Sequence, residues 1–304
     1  MAVQTRTIKR RIKSVKNTRK ITKAMEMVAA SKMRKAVNSV IGSRPYSKLA
    51  WNTVKSIGSR VDMSLHPLLR KEETAKNVLV LLITSDKGLA GGFNTNILRR
   101  TKKIMEELGE GVNIQTICIG KRGADAMRRM NRGIMASFVD ITNNTTFEEV
   151  LPIGRMVIDE FTKGNVDKVF VAYTDFVSAV SQNPLILELL PLGTEEDMEQ
   201  IGEVTEVDKG KEKTYLEAKE YTFEPSPQLV LNQILPRLVE TMVYQAVLES
   251  AASEHSARMM AMRSATDAAG EMLDDLTFTF NQARQAGITQ EIAEISSGKA
   301  ALEG

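Results

Sequence analysis

The stretch from Val78 to Asn94, VLVLLITSDKGLAGGFN, decides how the middle of this chain is read. Val78–Thr84 is an uncharged run of strand length, with the composition of a strand buried on both faces. The turn that follows carries Gly88, Gly91 and Gly92, and from Asn94 to about Leu108 the apolar residues fall at helical spacing. Strand, glycine turn and helix together open a βαβ unit.

Outward from this unit the pattern repeats. Asn113–Ile119 reads as a strand, Arg122–Met130 as a short helix and Met135–Ile141 as a weaker strand. Phe147–Lys163 reads as a helix, Lys168–Phe176 as a strand and Leu185–Leu192 as another. Strands separated by amphipathic helices predict a doubly wound, mainly parallel α/β domain covered on both faces, within residues 75–224. Residues 193–224 hold eleven acids and four lysines, which reads as a solvated excursion or a polar hairpin.

The two ends follow a different period. From Thr5 to about Ile57 the apolar residues Ile8, Ile12, Val15, Ile21, Met25, Val28, Met33, Val37 and Val40 keep helical intervals, with an interruption or kink expected at Gly42–Pro45. After Pro225-Ser226-Pro227 the same spacing runs through Leu231, Leu235, Leu238, Met242 and Ala246. It continues through Ala257, Ala261, Ala265, Ala268, Met272, Leu276 and Phe280 to Ile288, Ile292 and Ile295. Long helices in residues 1–60 and 226–304 cannot hide their apolar stripes singly, so they are expected to pair as a long antiparallel coiled coil beside the α/β domain. The longer C-terminal helix should then project beyond the pair.

Composition supports this division. Aromatic residues total 15 against 16 methionines, a balance suited to Met-, Ala- and Leu-filled helix seams. The net charge of +3 splits into +15 over residues 1–60 and −12 over the rest, which points to a partner. A single cysteine, Cys118, excludes an internal disulfide. The basic first 25 residues lack the apolar core of a secretory signal, and no apolar run is long enough to span a bilayer. The expectation is a soluble, cytoplasmic chain.

No self-contained active site emerges. The glycine turn matches neither G-x-G-x-x-G nor G-x-x-x-x-G-K-[ST], so a tight turn needing positive φ and close backbone approach is preferred to a nucleotide site. His66 and His255 are far apart in sequence and read as surface or helix-face residues, and with one cysteine they form no metal-ligand cluster. Asp86 and Lys87 could pair, and Glu148-Glu149 reads as solvated charge. The methionines from Met259 to Met262 read as helix seam. The basic face of Lys9, Arg10, Lys13, Lys16, Lys20 and Lys23 suits a solvated surface, a nucleic-acid arm, a membrane-surface helix or an acidic protein partner. It lacks the interleaved aromatics of a single-strand binder.

Four stretches then converge on one family. ITKAMEMVAASKM (Ile21–Met33), SDKGLAGGFN (Ser85–Asn94), SEHSARMMAMRSAT (Ser253–Thr266) and NQARQAGITQEIAEI (Asn281–Ile295) resemble, in order, the gamma subunits of bacterial F-type rotary ATP synthases. The resemblance implies a central-stalk rotor that couples ion flow through a membrane c ring to ATP synthesis at the beta subunits, with no catalytic site or cofactor of its own. It implies partners, namely three alpha and three beta subunits per gamma, an epsilon subunit and the c ring, and no nucleic acid. It also implies a peripheral place on the cytoplasmic face of the bacterial inner membrane. Carried over by position, Met25, Lys32, Arg34, Lys35, Arg284, Gln285, Thr289 and Glu291 would meet the alpha/beta ring, and Tyr221, Phe223 and Glu224 the c ring and epsilon. Gly88, Gly91 and Gly92 would form a structural turn. Ala90 stands where many relatives have Cys, and Ser296–Lys299 departs from the commoner tip sequence.

Overall fold

The computed structural model describes residues 2–58, 66–70, 75–109, 111–143, 145–192, 224 and 226–303. Two long helices frame the chain: α1 (Ala2–Gly58) and α5 (Pro227–Glu303). Between them lie β1 (Asn77–Ile83), α2 (Phe93–Glu107), β2 (Asn113–Ile119), α3 (Lys121–Arg129), β3 (Gly133–Phe138), α4 (Phe147–Thr162), β4 (Lys168–Phe176) and β5 (Gln182–Leu190). No helix among the described residues is long and apolar enough to cross a membrane. The chain divides into two compact units, residues 30–258 and residues 1–29 with 259–304.

In the larger unit the strands are ordered β3-β2-β1-β4-β5. β1 pairs in parallel with β2 and β4, and β2 in parallel with β3. The strand order reverses between β1 and β4, so α2 and α3 cover one face and α4 the other. Successive β1 residues sort accordingly. Val78, Val80 and Leu82 pack with Ile97 and Met105 of α2 and Met127 of α3. Leu79, Leu81 and Ile83 pack with Val150, Ile153, Val157 and Phe161 of α4. Each such side chain fully buried contributes about 1.5–3 kcal/mol, which is why a strand buried on both faces reads as an unbroken apolar run. Thr146 and Glu149 close a capping box at the start of α4, so the Glu148-Glu149 pair opens that helix with favourable charge.

Two strand boundaries differ from expectation. β5 begins three residues earlier than read and runs antiparallel to β4, because the five residues between them are too few for a crossover. β3 spans Gly133–Phe138 rather than Met135–Ile141. Asp140 has φ +63°, which ends the extended run, and its N–H donates to the Asp86 carboxylate at 2.9 Å.

The terminal helices contribute to this unit directly. Val54 and Ile57 of α1, and α5 from Leu231 to Val247, join the core on the α4 face of the sheet. Between Leu238 and Ala257 every α5 residue except Tyr244 is buried. No interruption occurs at Gly42–Pro45: α1 continues through both. Pro45 lies on the exposed side, where water can replace the missing donor.

The smaller unit is an antiparallel helix pair. Thr22 of α1 and Thr266 of α5 share a hydrogen bond of 2.8 Å, and the Arg19 guanidinium lies over Gly270. From Met262 the inward side of α5 includes Thr266, Ala269, Leu273, Leu276, Phe280, Ala283 and Gly287, at alternating steps of four and three, with Ala265 and Gly270 half-buried beside them. That alternation is the 3.5-residue period of a coiled coil. The stripe read from apolar residues alone is thus corrected in part. Ile21, Val28 and Met272 are exposed by 60%, 57% and 53%, and Ala268 is exposed, while Thr22, Ala29 and Ala269 are buried. Small residues at these inside positions let the helix axes approach.

Two glycines make opposite predictions. Gly120, at φ +93°, abuts Thr84, where an added Cβ would lie 2.1 Å from the carbonyl oxygen. Gly120→Ala should cost more than about 3 kcal/mol. Gly270 has room for a methyl group against Arg19, at 3.6 Å, so Gly270→Ala should add about 1 kcal/mol through helix propensity. Urea unfolding of the two variants checks both signs.

Candidate functional site

The C-terminal ends of the parallel strands, at the reversal between β1 and β4, are where open α/β sheets place their ligands. Here the glycine turn is closed by its own polar residues. Ser85 N–H donates to Asn94 Oδ1 at 3.0 Å, and Asn94 Nδ2 donates to Ser85 Oγ at 2.7 Å. Ser85 Oγ donates to the Lys87 carbonyl at 2.6 Å. Asp86 does not engage Lys87. Its carboxylate accepts the backbone N–H groups of Lys121 and Asp140, tying the ends of β1, β2 and β3 together. Of the three turn glycines only Gly91 has positive φ, at +54°; Leu89 shares that conformation at +62° and is exposed.

Helix α5 fills this edge. The Arg258 guanidinium reaches the carbonyls of Lys87 and Gly88 at 3.3 and 3.4 Å, and Ala257 packs with Ala90 and Phe93. The turn therefore presents carbonyl oxygens to a cation, the reverse of the N–H groups that a phosphate requires. One turn earlier, Glu254 accepts from Arg258 at 2.6 Å and from the Thr142 hydroxyl at 3.0 Å. Burial pushes the Glu254 carboxyl above the usual carboxylate range, against the opposing pull of Arg258 and Thr142.

His255 is buried rather than on the surface. Arg258 Nη1 lies 3.4 Å from its Nδ1, and because arginine only donates, Nδ1 accepts and the ring proton sits on Nε2. Burial, with the charges of Arg258 and Lys32, lowers its pKa to about 4. His66 is buried too, and its Nδ1 accepts from the Leu68 N–H at the start of a short 3₁₀ turn, Pro67–Leu69. Burial raises the Cys118 thiol to about 11, so it stays protonated. Among the described residues no group of three or more His, Cys, Asp or Glu is placed to hold a metal.

The positions carried over by resemblance fall in separate places. Lys32 donates to Asn143 Oδ1 at 3.1 Å, while Arg34 and Lys35 are exposed. Met25 is half-buried. Arg284 and Gln285 are exposed, and Thr289 and Glu291 lie in a stretch, Ile288 to Lys299, where every residue is exposed. The register of the smaller unit sets Arg284 level with the start of α1, about 30 Å along the pair from Met25. Glu224 is exposed; Tyr221 and Phe223 lie outside the described residues. The basic side chains Lys9, Arg10, Arg11, Lys13, Lys16 and Lys20 are exposed and carry no ion pair among the described residues; Lys23 pairs with Glu26 at 3.0 Å. Sequence reading missed the grip of Glu254, His255 and Arg258 on the sheet edge. The Glu254–Arg258 spacing of i,i+4 was its one available signal.

A chain of the Tetrahymena thermophila mitochondrial ATP synthase central stalk/c-ring structure superposes with TM-score 0.59, over 81% of this chain and 99% of that one, at 27% identity. A chain of the Euglena gracilis mitochondrial ATP synthase shares the fold at TM-score 0.65 and 20% identity, over 99% of this chain and 95% of that one. The ATP synthase family model matches residues 4–302. The ATP synthase gamma chains of Dehalococcoides mccartyi and Heliobacterium modesticaldum are each 42% identical, over 98% of this chain and 98% of theirs. The chain belongs to the ATP synthase gamma chain family.

The buried imidazole gives a pH signature. His255 must be neutral in the fold, whereas the unfolded residue protonates near 6.5. Its contribution is therefore complete above about pH 6.5 and is lost as pH falls toward 4, up to about 3 kcal/mol. Unfolding measured from pH 7 to 4 should show a shallower loss in His255→Gln than in the natural chain.

Proposed function

We propose that this chain is the rotating central shaft of an F-type ATP synthase, carrying torque between a membrane c ring and the beta subunits while leaving the ATP chemistry to them. Family membership over residues 4–302 carries this reading. The chemistry of the sheet edge supports it, since α5 holds the ground on which an α/β enzyme would bind its substrate. In this reading the assembly has three alpha and three beta subunits to one such chain, with an epsilon subunit at its foot. It sits peripherally on the cytoplasmic face of a bacterial inner membrane.

A shaft shifts its neighbours between nucleotide affinities only by contacting them unequally. The exposed lysines and arginines of α1 suit this, because charge attraction toward acidic partner segments tolerates changing register during rotation. Arg34 and Lys35 would extend that track, with Lys32 contributing beside its bond to Asn143. Met25 would lie near the same segments, and Arg284, Gln285, Thr289 and Glu291 would run in the collar of the ring. Glu224, with Tyr221 and Phe223, would serve the foot.

Co-expression with alpha and beta subunits should yield a complex of 3:3:1 stoichiometry. Deleting the residues after Gly287 should lower coupled ATP synthesis while assembly persists. Undiminished synthesis by that truncation would remove the tip contacts from the reading.

A further inference from the structure

The geometry points to the β4–β5 hairpin as a torque-bearing key, which through Ser256 holds α5 on the side opposite Arg258, with Ser250 as a further anchor about 80° around the helix from Arg258, and so locks the helix against rolling on the sheet. This deepens the rotor reading and rests on it. Apolar contact is non-directional, so a helix packed by it alone resists rotation about its own axis weakly. Hydrogen bonds to a fixed backbone do have direction. Ser256 Oγ donates to the Ala179 carbonyl at 2.6 Å, and the Thr174 N–H donates to Ser250 Oγ at 3.0 Å. Both serines are fully buried.

Both backbone groups belong to the hairpin that closes this edge of the sheet. Thr174 lies within the β4–β5 ladder. Ala179 sits in the hairpin turn, where Ser178 N–H donates to the Ser181 carbonyl and Ser178 Oγ accepts from Val180 and Ser181. At about 100° per residue, Ser256 and Arg258 point about 160° apart around α5. Arg258 holds the glycine turn and Ser256 holds the hairpin, so the two contacts form a couple about the helix axis. One contact alone would act as a pivot.

The test uses the whole ATP synthase in vesicles, with Ser256→Ala alone and combined with Ser250→Ala. Two readouts are taken: ions pumped per ATP hydrolysed against an opposing potential, and the angular fluctuation of a probe on the stalled rotor. Both variants should widen the fluctuation and lose pumping under load. Ser256→Thr, which keeps the hydroxyl, should retain the stiffness of the natural chain. Thr101→Ala removes a buried hydroxyl bonded within α2 and serves as the control for mere destabilisation. Unchanged fluctuation and pumping in the alanine variants would overturn the key, as would equal widening in the Thr101→Ala control or in Ser256→Thr. A natural chain that fails to assemble with alpha and beta would instead overturn the rotor reading itself.

Discussion

Everything in the larger unit depends on the burial of α5 between Leu238 and Ala257, where the helix has almost no face left for solvent. Leu238, Val239, Met242, Val243, Ala246 and Val247 merge with the sheet core, and that burial supplies the energy. The same enclosure makes a polar side chain on the segment costly unless it finds a partner in the protein. Gln245 Oε1 and Ser253 Oγ carry that cost, being buried without a hydrogen bond among the described residues. Glu254, His255 and Ser256 find partners on the loops at the sheet edge, and Ser250 finds one on β4. Burial thus holds the helix on the sheet, and the directional contacts fix its orientation about its own axis.

Much of this architecture was legible because burial on both faces writes itself as unbroken apolar runs. β1, β2 and β4 appeared within a residue of their observed limits for that reason. The helix seams were harder. Periodicity was read from apolar residues alone, Ile21, Val28 and Met272 among them, yet Thr22, Ala29, Thr266 and Ala269 are the buried positions there beside Met262. A hydroxyl that satisfies itself on a partner hydroxyl or on its own helix carbonyl can sit inside a seam, and nothing in a hydropathy pattern distinguishes it from a surface threonine. The histidines escaped the reading too: each is buried, His66 beside the Leu68 N–H and His255 beside Arg258 one turn along its helix.

The exposed apolar residues of the helices follow from the same geometry. Ile288, Ile292 and Ile295 repeat at helical spacing on the segment of α5 that has run past the register of α1. Ile21 and Val28 lie on the outer side of α1. Together with the uncompensated basic residues they give the helices surfaces suited to other subunits, whereas the seam between the helices mixes small residues with Met262, Leu273, Leu276 and Phe280. Inside and outside therefore divide by charge and helical register rather than by hydrophobicity alone.

The glycine turn held by Arg258 has a consequence for how this domain responds to its surroundings. An α/β domain that binds a diffusible ligand at this edge is stabilised by mass action, in proportion to the logarithm of free ligand above its dissociation constant. Here the occupant is a helix of the same chain, present at an effective concentration set by covalent connection. Its occupancy does not vary with the metabolic state of the cell, and dilution does not release it. The domain has exchanged a chemical input for a mechanical one.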